Sequence, residues 1–246
     1  MKLIEKTYQL SVEFDDIYRD AGYHPGSPVI SAALAAAQAS GASGEQFLRG
    51  VIVGYEVSTR IGEAVMPSHY KYWHITGTVG TLGAAAAAAT ILGCGREQFM
   101  HALATAGTFA AGLQQAFRSQ AMSKPLHSAH AAEAGTLAAM AAAKGVTGAL
   151  EILEGEVGFG AAMSVNPDWS KATRGLGTDY HIVHVTFKNH GCCGHTFPSI
   201  DGVLHLKHAH HLTHKDIKKI RLATYKAGLD IINNDKPEGE YQAKFS

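Results

Sequence analysis

The chain has 246 residues, and its 21 Lys+Arg are balanced by 21 Asp+Glu, so no excess positive charge is available for the phosphate contacts of nucleic-acid binding and no such partner is expected. Three cysteines, Cys94, Cys192 and Cys193, cannot build a disulfide framework, and the adjacent pair is poorly placed to bridge itself, so reduced thiols are expected. The Ala-rich runs at 32–37 and 84–89 fall well short of the roughly 20 apolar residues of a membrane span, and the opening MKLIEK leads into polar and acidic residues rather than a secretory signal; a cytoplasmic protein without membrane contact is expected.

In chain order, Ser27 followed by Pro28 reads as an N-cap with proline in the first turn, and Gly41 as the left-handed stop, which predicts a helix over 28–40. Ser43 and Gln46 form a capping box ahead of Phe47, Leu48, Val51, Ile52, Tyr55, Ser58 and Gly62 at helical spacing, so 44–64 is an amphipathic helix. From Gly77 to Leu92 nearly every residue is Ala, Gly, Thr, Leu or Ile, which suits a helix surrounded by other helices. Further helices are predicted over 96–112, 128–143 and 147–154, making 28–155 all-helical. After Gly155 the texture changes. Alternation of Val183, Val185 and Phe187 predicts a strand over 181–187, Pro198 to Leu212 a helix, and Ile217 to Tyr225 a second strand. The expected fold is therefore mainly α, with a large helical domain over 1–155 followed by a smaller α+β domain over 156–246.

Four segments carry candidate chemistry. Glu13-Phe14-Asp15-Asp16 and Tyr23-His24 stand just before a helix start, where orphan N–H groups favour anions; the plainer alternative makes Asp15 and Asp16 solvated loop acids and His24 a turn residue. His74, flanked by Tyr72 and Trp73, leads into the Gly/Ala helix, placed for acid–base work or simply packed to hold its loop. Lys124 and His127 precede a helix rich in small residues and would make a carboxylate socket, the alternative being a surface lysine and a helix-starting histidine. In Lys188-Asn189-His190-Gly191-Cys192-Cys193-Gly194-His195 a zinc site competes with an apolar, turn-forming Cys pair that aims Lys188 and His195; no second C-x-x-C pair is present, and the turn is the preferred reading. His205, His208, His210, His211 and His214 offer metal-binding spacings on a helix but read better as a solvated face, acidic partners being scarce nearby. No P-loop, no G-x-G-x-x-G after a strand and no G-x-S-x-G elbow occurs.

Taken in order, EFDD…HPGSPVISAALA, WHITGTVGTLGAAAAAATILG, SKPLHSAHAAEAGTLAA with the following ILEGEVGF, and KNHGCCGHTFPSIDGV resemble the MmgE/PrpD family over nearly the whole chain. That family includes 2-methylcitrate dehydratase, cis-aconitate decarboxylase and an iminodisuccinate epimerase, all working beside carboxylates without metal, flavin or nucleotide. The resemblance implies a cofactor-independent lyase that abstracts a proton alpha to a carboxylate of a small di- or tricarboxylate, with a pocket between the helical and lid domains, no metal, no cofactor, and a homodimer. His24, His74, Lys124 and Lys188 match the family's active-site positions. Lys124 and Lys188 are expected to hold substrate carboxylates while His74 and His24 transfer protons. Asp16 completes the expected catalytic set, and Asp15, His127 and His195 the expected substrate contacts. Glu13 stands where aspartate is frequent in the decarboxylase-like form and Ile17 where threonine is common, which directs the expectation to dehydration of a 2-methylcitrate-like hydroxy acid. An epimerase or isomerase of a small dicarboxylate, or a non-catalytic fragment, are the alternatives. Members of the family are nearly twice as long, so the chain is expected to be part of a longer protein.

Overall fold

Helix α1 (Gly26–Ser40) begins two residues earlier than its sequence predicts, because its first free N–H is capped from a distance. Gly26 donates to Asp16 Oδ1 at 2.9 Å, and Ser27, expected as the cap, instead turns its hydroxyl to Ser128. Gly41 ends α1 in the left-handed conformation, as expected. Helix α2 (Gly44–Val65) carries the expected capping box: Gln46 N–H donates to Ser43 Oγ at 3.2 Å and Ser43 N–H to Gln46 Oε1 at 2.8 Å. Helices α3 (Ile75–Ile91), α4 (Arg96–Phe109) and α5 (Lys124–Ala143) follow. The computed structural model describes residues 12–118, 121–232 and 234–246; the opening MKLIEK lies outside them.

Every residue of α3 from Ile75 to Ala89 is buried, because α1, α2, α4 and α5 pack around it. Small side chains make that possible. A Cβ added at Gly135 of α5 would stand 2.4 Å from the Thr81 carbonyl oxygen of α3, so the two helices approach to a distance only glycine allows. Inside α3, Thr81 satisfies itself locally by donating to Gly77 O at 2.8 Å.

Several predicted elements differ. Helix α4 stops three residues before 112, and α5 starts at Lys124 rather than 128 because Pro125, lacking an N–H, fits the first turn. No helix forms over 147–154: Ile152 N–H bonds Ala149 O, Gly155 N–H bonds Glu151 O, and Phe159 and Gly160 return to Ile152 and Leu153, so the chain coils on itself in turns. The predicted strand over 181–187 is a 3-10 turn, His181–His184, followed by β2 (Thr186–Phe187), which pairs antiparallel with β1 (Asp16–Ile17) in the register Asp16↔Phe187, Ile17↔Thr186. His181 is drawn inward instead of alternating: its N–H donates to Glu56 Oε1 and its ring stacks on Tyr18 at 5.1 Å.

The protein is mainly α, and the chain forms two compact units, one holding Asp15–Phe187 and the other Val12–Phe14 with Lys188–Ser246. The first unit therefore also carries residues 156–187. In the second, helix α6 (Phe197–Ala209) ends short of 212 because His211 adopts a left-handed conformation with φ 52. The strand predicted over 217–225 is irregular, with Ile220 and Leu222 exposed and no partner strand among the described residues. The two-stranded ribbon thus belongs to the first unit.

Candidate active site

His74 is the residue just ahead of α3, and its backbone is fixed on both sides. Its N–H donates to Gly112 O at 2.9 Å, Gln114 N–H donates to Tyr72 O at 2.8 Å, and Trp73 bridges Leu113, so 72–74 and 112–114 run antiparallel. Its carbonyl accepts the N–H groups of Gly77 and Thr78 in the first turn of α3. The imidazole is buried, and its Nδ1 stands 3.0 Å from Nδ1 of His127, one turn into α5. Lys124, also buried, opens that same helix. Gly112 makes room for His127: it adopts φ 128, and a Cβ there would stand 3.2 Å from the ring.

His24 enters from the loop before α1. Its Nδ1 is 2.8 Å from Asp15 Oδ2 and 2.9 Å from the Asp16 carbonyl, and its backbone N–H reaches Thr76 Oγ1 in α3 at 3.4 Å. Three separate stretches of sequence thus assemble Asp15, His24, His74, His127 and Lys124 around the N-terminal ends of α3 and α5, the positive ends of the two helix dipoles. Burial holds the His74 imidazole well below its ordinary pKa, and the charges of Lys124, His127 and His24 push the same way, with Asp15 opposing. Burial, then His130 and Lys124, lowers His127 as well. Both rings are neutral near pH 7, beside a buried ammonium.

Asp16, expected in the catalytic set, is bonded to the scaffold through both oxygens. Oδ1 accepts from Gly26 N–H and Oδ2 from the Tyr55 hydroxyl at 2.8 Å, so the carboxylate caps α1 and ties it to α2. Burial raises its pKa, against the hydrogen bonds of Tyr55 and Gly26. The solvated-loop alternative fails for both acids, since the Asp15 and Asp16 side chains are buried. Lys188 and His195 belong to the second unit. There the Lys188 ammonium is buried against the Glu13 carboxylate, and His195 Nδ1 meets the Tyr225 hydroxyl. Cys192 Sγ contacts Thr196 Oγ1 at 3.0 Å, and the His205–His214 run is largely exposed. Among the described residues no group of three or more His, Cys, Asp or Glu side chains is arranged to hold a metal ion, and no helix is long and apolar enough to cross a membrane.

Some buried polar groups carry little sequence signal. His69 is fully buried, between the Met163 carbonyl at 3.1 Å and Thr78 Oγ1 at 2.7 Å, and stacks on Phe159. Glu56 and Arg60, spaced as a solvent-facing helix pair, are buried at 3.0 Å and hold the 174–181 segment through Arg174 O, Asp179 O and His181 N–H. Only the i,i+4 spacing announced this pair; nothing local announced its burial.

Lys124, the paired His74 and His127 imidazoles and the Asp15-bound His24 thus gather at two helix N-termini. The MmgE/PrpD N-terminal domain matches residues 9–172 and the MmgE/PrpD C-terminal domain residues 190–246, and the chain belongs to that family. It is 28% identical over 208 residues to the cis-aconitate decarboxylase-like protein oryM of Aspergillus oryzae, covering 78% of this chain and 43% of that one. It is also 36% identical over 156 residues to human cis-aconitate decarboxylase (61% and 32%) and 28% identical over 211 residues to the Aspergillus terreus enzyme of that name (80% and 43%). The chain thus spans less than half the length of these relatives.

Proposed function

We propose that the protein is a cofactor-independent lyase acting on a small di- or tricarboxylate, with Lys124 gripping a substrate carboxylate and His74 and the Asp15-bound His24 moving protons at the adjacent carbon. The observation that carries this reading is the buried Lys124 beside the His74–His127 pair. Loss of CO2 and loss of a proton both leave an electron pair on carbon next to a carboxylate, and a buried cation with two helix N-termini stabilises that charge without reorganising water. The relatives' names favour decarboxylation of a cis-aconitate-like acid. Dehydration of a 2-methylcitrate-like hydroxy acid is the second reading, supported by Glu13 and Ile17; here Glu13 is committed to Lys188 and Ile17 to the β1–β2 ribbon. We assign the assembly a homodimer.

The test incubates the purified protein with cis-aconitate, 2-methylcitrate and a panel of dicarboxylates in D2O. Decarboxylation releases CO2 and puts one solvent deuteron into the product; dehydration releases water and no CO2. Lys124→Ala is expected to lose at least roughly 100-fold in kcat/KM. The absence of any product or deuterium exchange across the panel, or full activity in Lys124→Ala, rejects the proposal.

A further inference from the structure

His74 and His127 face each other through like atoms. Their Nδ1 atoms are 3.0 Å apart, with ring centroids at 5.2 Å, so one proton and only one can lie between them. Two neutral rings joined this way hold complementary tautomers: the ring that carries the shared proton has a basic Nε2, and its partner carries a proton on Nε2. The two rings also differ in exposure. His74 is 2% exposed, whereas His127 is half-buried, and His130, one turn further along α5, is exposed with Nε2 at 3.2 Å from the Phe109 carbonyl. Gly112 is shaped to this arrangement, since any side chain there would displace the His127 ring.

We propose that His127 is the proton relay of the site, carrying protons between the buried His74 ring and solvent across the Nδ1–Nδ1 bond. The inference rests on the acid–base role of His74 given above. When His74 Nε2 takes a proton from carbon, its Nδ1 proton crosses to His127 Nδ1, and His127 releases its own Nε2 proton to water. Three protons each move one place, both rings end neutral, and their tautomers are exchanged. Delivery of a proton to carbon is the same sequence reversed, and a turnover containing one run of each restores the starting pair. Among the described residues, Lys124, His24 and Asp15 act on His74, and His130 and Lys124 on His127. His127 is thereby a relay rather than the substrate contact expected from its motif.

The test uses His127→Ala and His127→Gln with the substrate panel above. Each is expected to lose roughly 100-fold in kcat, with KM changed by no more than about twofold. Added imidazole is expected to restore His127→Ala in a saturable manner and to leave His127→Gln unrestored, because the longer side chain fills the space. Unchanged kcat, or a loss in His127→Ala that imidazole does not relieve, overturns the relay. A second readout needs no turnover: exchange of the His74 ring proton with solvent, followed by 15N-resolved NMR, is expected to slow at least roughly tenfold in His127→Gln. Equal exchange rates overturn the relay even in an active enzyme. Slowed exchange in a protein inactive on every acid supports the relay and rejects the lyase reading.

Discussion

Asp15 and Asp16 are adjacent in sequence and serve different ends. Asp15 lies 2.8 Å from His24, while Asp16 spends both oxygens on Gly26 and Tyr55. Asp16→Ala strands two buried donors and removes a helix cap, and is expected to cost roughly 2–3 kcal/mol in thermal unfolding. Asp16→Asn keeps an acceptor for Gly26 and is expected to cost less than half of that loss. His69 gives a pH dependence. Burial pushes its pKa from 6.5 down to about 4, so below pH 6.5 the unfolded chain binds a proton that the folded chain refuses. Its contribution is complete above pH 6.5 and is lost as the pH falls toward 4, amounting to roughly 3 kcal/mol. Urea unfolding at pH 7 and pH 4.5 is expected to reveal this slope, and His69→Gln to flatten it; an equal slope in both proteins refutes the assignment.

At the scale of elements, α3 is a helix with no outward face, and its neighbours come close only where they lack side chains. Gly135→Ala sets two effects against each other. Alanine gains up to about 1 kcal/mol in helix propensity, but its Cβ meets the Thr81 carbonyl at 2.4 Å, a backbone atom that cannot turn aside. Overpacking of this kind costs about 1–3 kcal/mol or more, so a net loss in melting temperature is expected. A melting temperature at or above that of the parent would mean that α3 and α5 can part cheaply.

At the scale of the whole molecule, each unit has its own buried charge arrangement: Glu56–Arg60 in the first, Glu13–Lys188 in the second. Removing one member of a buried pair leaves an uncompensated charge. Lys188→Met is therefore expected to destabilise by roughly 3–5 kcal/mol in denaturant unfolding. The double variant Glu13→Leu with Lys188→Met is expected to recover most of that stability.

Much was legible in the chain itself. The capping box at Ser43, the stop at Gly41 and the small-residue run of α3 are written in local spacing, and four ordered motifs carried the family resemblance. Failures fell where the deciding partner is remote. Nothing near Ser27 shows that Asp16 will cap its helix, nothing near residues 181–187 shows that His181 will turn in toward Glu56, and nothing near His74 shows that His127, 53 positions away, will supply its partner nitrogen. Helix periodicity and capping are settled by hydrogen bonds within a few residues, so the sequence alone determines them. Which charge is stripped of water, and which group it then meets, depends on closing long loops around a shared core, and that was decided only by the tertiary structure.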